Sequence, residues 1–516
     1  MSESHRVTVR KLPTGVPGLD PVLGGGLPEF SFNLLAGAPG TGKTTLAQQI
    51  AFSMASEERP ALSFSVLGES PLKMLRYQQQ FSFFDVDKLD AVVRFLDLSA
   101  DVLNQDLDVV LERIVREVEE AKPGIVVVDS FRTIVRASAN IPPGKMGLAD
   151  FVQRLALHLT AWQATTFLVG EQPQFRDLDQ DNSVFTVADG ILALTQSIDR
   201  NSVVRKLQVV KMRGQAQQPG LHTFRITDDG LQVFPRSFGL VEKDARPRPI
   251  RRISTGAAGL DEMMNGGIPA GDSVLIAGPA GSGKTALSTQ FIAEGIRQGE
   301  PGVIAVFEEH PSEYVARAEA MDLKLQEMID QGLLKIIYLR PLDLSVDETL
   351  HEVRESVEKL RARRVVVDSL SGFELALAPA FRDDFRESLY RMVLSLTGIG
   401  VTVLNTVEVV DAYNELRFSP HAISFLTDDI ILLRYFETDG QLQKMMTVVK
   451  MRGGLHSTDL RAYEITSKGV VIGSRLRHYR GILSGSPESG LGDRSGQVEA
   501  GEDVSAGFDT QSRVSG

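Results

Sequence analysis

Cysteine is absent from all 516 residues, which excludes disulfides, thiolate zinc sites, iron–sulfur clusters and a cysteine nucleophile. That absence fits a reducing cytoplasm, the expected location. Tryptophan occurs once, at Trp162, and no basic–aromatic segment suited to stacking single-stranded bases is present. Eight histidines are scattered without zinc-ligand spacing. No apolar run approaches the roughly 18 residues of a membrane span. The opening segment MSESHRVTVRK has no apolar signal core, so no membrane partner is expected. Positive charge is also in deficit: the formal net charge is −12, which argues against nucleic acid as a partner.

Glycine, by contrast, is plentiful at 46 residues, and part of it recurs in register. The segment Thr14-Gly-Val-Pro-Gly-Leu-Asp20 returns as Thr255-Gly-Ala-Ala-Gly-Leu-Asp261, shifted by 241 positions. Gly37 to Thr44 returns as Gly278 to Thr285 at the same shift of 241. Val126-Val-Val-Asp129-Ser130 and Lys211-Met-Arg-Gly214 return as Val365-Val-Val-Asp368-Ser369 and Lys450-Met-Arg-Gly453, both shifted by 239. The chain is therefore a tandem duplication. Its expected divisions are an N-terminal domain at 1–242, a linker at 243–252, a C-terminal domain at 253–483 and a disordered tail at 484–516. Pro247 and Pro249 suit an extended linker, and the Gly/Ser/acidic tail lacks apolar residues to bury. The cluster Arg246, Arg248, Arg251 and Arg252 is expected in solvated linker or an interdomain contact.

Within each half, short β-branched runs alternate with amphipathic stretches. Ser273 to Ala277 and Arg364 to Val367 read as buried strands, and Leu287, Phe291, Ile292 and Ile296 line one helix face. That alternation predicts an α/β fold: two tandem domains, each a mostly parallel sheet flanked by helices.

The glycine-rich loops of the repeat are Gly37, Ala38, Pro39, Gly40, Thr41, Gly42, Lys43 and Thr44, then Gly278, Pro279, Ala280, Gly281, Ser282, Gly283, Lys284 and Thr285. Glycines bring backbone N–H groups close to phosphate oxygens, and the following helix aims its positive end at the anion. Lys43 and Lys284 are expected to reach the terminal phosphates of ATP, with Thr44 and Thr285 as magnesium ligands. Asp129 and Asp368 end apolar strands and are expected to hold Mg2+ through water. Nucleophile activation needs a carboxylate, and Glu308-Glu309 follows a strand in the second half. The aligned first-half pair is Gly68-Glu69, which leaves Glu69 as its candidate. Lys211 with Arg213, and Lys450 with Arg452, place two cations on one side of a strand, far along the chain from their own loops. Delivery to ATP on a neighbouring subunit is the expected use.

Taken together, the duplicated loop, the Glu308-Glu309 pair, the repeated Lys-Met-Arg-Gly and Thr427-Asp-Asp-Ile-Ile-Leu-Leu433 resemble the KaiC family of clock ATPases and autokinases, from about Gly15 to Pro487. The resemblance implies two RecA-like domains per chain, a double-ring homohexamer with ATP at subunit interfaces, and signalling or clock proteins as partners. It implies ATPase activity in the N-terminal ring and serine/threonine autokinase activity in the C-terminal ring. Glu308 would be the general base with Glu309 in support, and Lys450 and Arg452 would contact the adjacent subunit's ATP. The family's adjacent Ser-Thr phosphoacceptors fall on Ser424-Phe425, so Ser424 alone retains a hydroxyl, with Ser419 nearby. Gly481 to Pro487 resembles the family's regulatory loop. Two other functions compete: a nucleotide-switched scaffold with little turnover, favoured by Gly68 and Phe425, and a DNA-dependent ATPase, which the charge opposes.

Overall fold

The computed structural model describes residues 9–66, 71–103, 106–131, 133–134, 146–171, 183–199, 202–236, 251–339, 345–377, 385–409, 427–438, 440–452, 454–477, 479–480 and 488–489. In each half the run that leads into the phosphate loop, Phe32–Gly37 or Ser273–Gly278, is a strand buried at every residue. Burial on both faces explains why these runs lack polar alternation. Each lies between two parallel neighbours: Thr165–Glu171 and Gly190–Asp199 in the first half, Thr402–Glu408 and Asp429–Thr438 in the second.

Both sheets have nine strands in the same order. The first runs Gly230–Phe234, His222–Thr227, Ser202–Met212, Gly190–Asp199, Phe32–Gly37, Thr165–Glu171, Ile125–Asp129, Ala61–Ser65 and Val93–Asp97. The second repeats it as Gly469–Arg475, Arg461–Thr466, Gln441–Met451, Asp429–Thr438, Ser273–Gly278, Thr402–Glu408, Arg364–Asp368, Gly302–Val306 and Leu334–Tyr338. The sheets are mostly parallel, as the alternating pattern predicts. Three antiparallel strands complete one edge of each, because the turns after Asp199 and Thr438 are too short for a parallel crossover.

Apolar clusters fill both faces of each sheet. Leu287, Phe291, Ile292 and Ile296 are buried on the helix Lys284–Arg297. The antiparallel edge of the first half rests on the helix Val346–Leu360 of the second. Arg225 pairs there with Glu348 at 2.5 Å and the Phe234 ring meets His351 at 5.6 Å, while Arg236 pairs at 2.7 Å with Glu387 of the helix Phe385–Gly398.

Arg251 and Arg252 correct the linker expectation. Arg252 begins a two-residue strand and donates to the Met264 and Gly267 carbonyls at 2.8 and 2.9 Å, while Arg251 pairs with Glu300. Both therefore serve the second half's own fold. Arg246 and Arg248 lie outside the described residues, as does most of the tail. Its described pair, Glu488–Ser489, bonds antiparallel to Tyr479–Arg480. Among the described residues, no helix is long and apolar enough to cross a membrane.

Candidate functional site

Each phosphate loop leaves the C-terminal end of its central strand and enters a helix, Lys43–Met54 or Lys284–Arg297. Gly42 and Gly283, the residues before those helices, have φ of 94° and 93°. A Cβ at either would also stand 2.6 Å from Ile226 or 2.7 Å from Ile465. Glycine is thus required by backbone conformation and by packing against the antiparallel edge.

The loop lysines curl back over their own turns. Lys43 Nζ donates to the Ala38 carbonyl at 2.8 Å, and Lys284 Nζ to those of Gly278 and Pro279 at 3.0 and 2.9 Å. Burial pushes both ammonium groups below the ordinary lysine value. Carboxylates oppose that shift: Asp129 beside Lys43, and Glu408, Asp368 and Glu308 around Lys284. An anionic phosphate would act in the same direction as those carboxylates. A cavity of about 320 Å³ opens beside Pro39, Gly40, Lys43, Thr44, Asp129 and Ser130. A cavity of about 350 Å³ beside the second loop opens to a different side, bounded by Lys284, Thr285, Thr289, Tyr314, Arg317 and Met321. Both sizes suit a small-molecule ligand.

The two strand-ending aspartates are placed differently. In the first half, Thr44 Oγ1 donates to Asp129 at 2.6 Å. Burial raises the Asp129 carboxyl, opposed by that bond and by Lys43. In the second half, Asp368 accepts from Thr406 at 2.5 Å rather than from Thr285. Threonine hydroxyl and aspartate oxygens are hard donors suited to magnesium. Among the described residues no cluster of three or more acidic or histidine side chains could hold a metal by itself. That donor set fits an ion held largely by phosphate and water.

Glu308 lies just past the strand Gly302–Val306 and accepts from Ser369 at 2.9 Å. Glu309 pairs instead with Arg317 on the next helix, and burial raises its carboxyl against that pull. Gly68 and Glu69 lie outside the described residues, as do Ser419, Ser424, Phe425 and the 481–487 segment.

The repeated cations sit away from their own cavities. Lys211 donates to the Phe185 carbonyl at 3.0 Å and Arg213 pairs with Asp189 at 3.3 Å. Lys450 donates to the Thr427 carbonyl at 2.5 Å and Arg452 pairs with Asp428 at 3.5 Å. None of the four lines its own loop's cavity.

Sequence reading missed Glu408, Thr406, Ser369 and Tyr314. Glu408 had a signal: it stands opposite Gly278 as Glu171 stands opposite Gly37, a carboxylate repeated at one register position. Tyr314 had none, since its hydroxyl partner Thr289, at 2.8 Å, belongs to another helix.

Both halves match the family model described as ATPase: KaiC, over residues 12–237 and 253–477. The chain is similar to the "Circadian clock oscillator protein KaiC" of Picosynechococcus sp., 29% identical over 497 residues, covering 93% of this chain and 92% of that protein. "Circadian clock oscillator protein KaiC 1" of Synechocystis sp. is 29% identical over 502 residues, with 93% and 92% covered. The KaiC of Prochlorococcus marinus subsp. pastoris is 29% identical over 512 residues, with 96% and 97% covered.

Proposed function

The chain belongs to the KaiC family of ATPases, binding ATP through duplicated domains, and from that premise we propose that its second half is also a serine autokinase acting on Ser424. The observation that carries this reading is the placement of Glu308, just past the strand Gly302–Val306, held by the Ser369 hydroxyl at 2.9 Å and felt by the loop's Lys284. Glu308, Glu408 and Asp368 all act on its ammonium group, and a carboxylate beside the terminal phosphate can take the proton of an attacking hydroxyl.

In the proposed step, the Ser424 hydroxyl oxygen bonds to the γ-phosphorus and its proton passes to Glu308. The bond from that phosphorus to the β–γ bridging oxygen breaks, and ADP leaves with the electron pair. Lys284 steadies the phosphates and Glu309, tied to Arg317, flanks the base. Thr44 with Asp129, and Thr285 with Asp368, would hold Mg2+, which when bound neutralises charge on the phosphates. Lys211, Arg213, Lys450 and Arg452 reach the ATP of an adjacent subunit in a double-ring homohexamer. The first half hydrolyses ATP with Glu69 positioning the water. Signalling or clock-type proteins are the proposed partners.

Phosphosite mapping of the full chain with ATP and magnesium tests the kinase step. Phosphate is expected on Ser424, slowed at least ~100-fold by Glu308→Gln. Equal labelling of the variant, or none at Ser424, would overturn the proposal.

A further inference from the structure

The two halves differ in a compensated way around the candidate base. Glu308 aligns with Gly68, so the first half lacks this carboxylate. Four residues past each strand-ending aspartate the relation inverts: Gly372 follows Asp368 where Thr133 follows Asp129. The second half therefore sets glutamate against glycine.

The geometry explains the glycine. A Cβ on Gly372 would stand 2.5 Å from Glu308 Oε1 and 2.7 Å from its Cγ. Any side chain there would displace the carboxylate, because Glu308 is the mobile partner and Gly372 lies in the helix Leu370–Ala376. Ser369 caps that helix, its Oγ accepting from the Gly372 N–H at 3.0 Å. With the oxygen so engaged, the hydroxyl hydrogen is directed elsewhere, and it goes to Glu308 Oε1 at 2.9 Å. Parallel pairing of Val306 with Asp368 brings the two segments together.

We infer that Ser369 and the bare surface of Gly372 are positioning elements for Glu308: the hydroxyl holds one carboxylate oxygen and leaves the other to receive the substrate proton. This rests on the reading of Glu308 as the catalytic base. One hydrogen bond to a charged group is worth about a tenfold change in rate when it orients the reacting atom. In the aligned sequence of the first half, Thr133 replaces the glycine and Gly68 replaces the glutamate, so both members of the pair change together.

The test uses the full chain carrying Lys43→Ala and follows the rate of Ser424 phosphorylation at the second site, the step Glu308 is proposed to serve, with kcat and KM taken from its dependence on ATP. Ser369→Ala and Gly372→Ala are each expected to lower kcat about tenfold with KM unchanged. Ser369→Thr, which keeps the hydroxyl, is expected to retain the rate. Alanine is a better helix former than glycine, so Gly372→Ala carries the test even if Ser369→Ala loses its cap and fails to fold. Combined with Glu308→Gln, neither substitution is expected to cost anything more, whereas a merely structural role would give additive losses. Undiminished kcat in Gly372→Ala, or losses that add to that of Glu308→Gln, would overturn the inference alone. An undiminished rate in Glu308→Gln itself would remove the catalytic-base reading and the inference with it.

Discussion

Arg364 and Glu300 form an ion pair at 2.8 Å with no guanidinium-bearing side-chain surface exposed. The same guanidinium donates to the Ser254 and Phe291 carbonyls, both at 2.8 Å, and lies 4.6 Å over the Phe291 ring. Gly295 makes room, since a Cβ there would stand 2.4 Å from Arg364. Removing one partner of a buried pair strands the other, typically at about 3–5 kcal/mol. Glu300→Ala is therefore expected to destabilise the second half by that amount in urea unfolding. A loss below about 1 kcal/mol would contradict the pair's burial.

Thr44 and Asp129 are joined at 2.6 Å, and the proposed function has them hold magnesium between loop and strand end. Asp129→Asn is expected to lower ATP turnover at the first site by roughly 100-fold or more. Phosphate release in a Lys284→Ala chain, titrated with magnesium, measures it. Unchanged turnover and unchanged magnesium dependence would exclude Asp129 from that role.

Asp429 is buried, and neither carboxylate oxygen has a hydrogen-bond partner. Burial, with Asp272 and Asp428 nearby, pushes its carboxyl up to about 7. For an acid raised in the folded state, the stabilisation is complete below the ordinary carboxylate range near 4. It is lost progressively as pH climbs to about 7, and no further change follows above that value. Asp429→Asn removes this dependence. Its stability advantage over wild type should widen by about 2 kcal/mol from about pH 5.5 to about 7, then level off. A constant difference across that range would mean the carboxyl ionises normally.

Lys450 and Arg452 are tethered to Thr427 and Asp428 rather than to their own loop. If they serve a neighbour, Arg452→Ala and Lys284→Ala chains should each be inactive at the second site. Mixed and reassembled in equal amounts, they should recover about a quarter of the sites, those pairing an intact loop with an intact cation across a head-to-tail interface. No recovery in mixed assemblies would place the cations in their own subunit's chemistry.

Much of this protein was legible in its residues because the relevant constraints are local. Gly42 and Gly283 announce left-handed turns, the lysine and threonine follow at fixed spacing, and Asp129 and Asp368 end runs too apolar to be anything but buried strands. Duplication doubled each signal. Arg364 shows the opposite case. The run Arg364 to Val367 reads as a buried strand, but what lets the arginine itself be buried, Glu300 and the glycine beneath it, comes from distant segments.

What the sequence determined by itself, then, was the repeat, the phosphate loops and the mostly parallel sheet class, all set by backbone conformation and short-range periodicity. Only the tertiary structure decided which side chains meet beside each loop. Glu308 and Ser369 are 61 residues apart, and Asp368 and Thr406 are 38 apart. They meet because parallel pairing places the ends of neighbouring strands side by side, and that strand order is a property of the whole sheet rather than of any one segment.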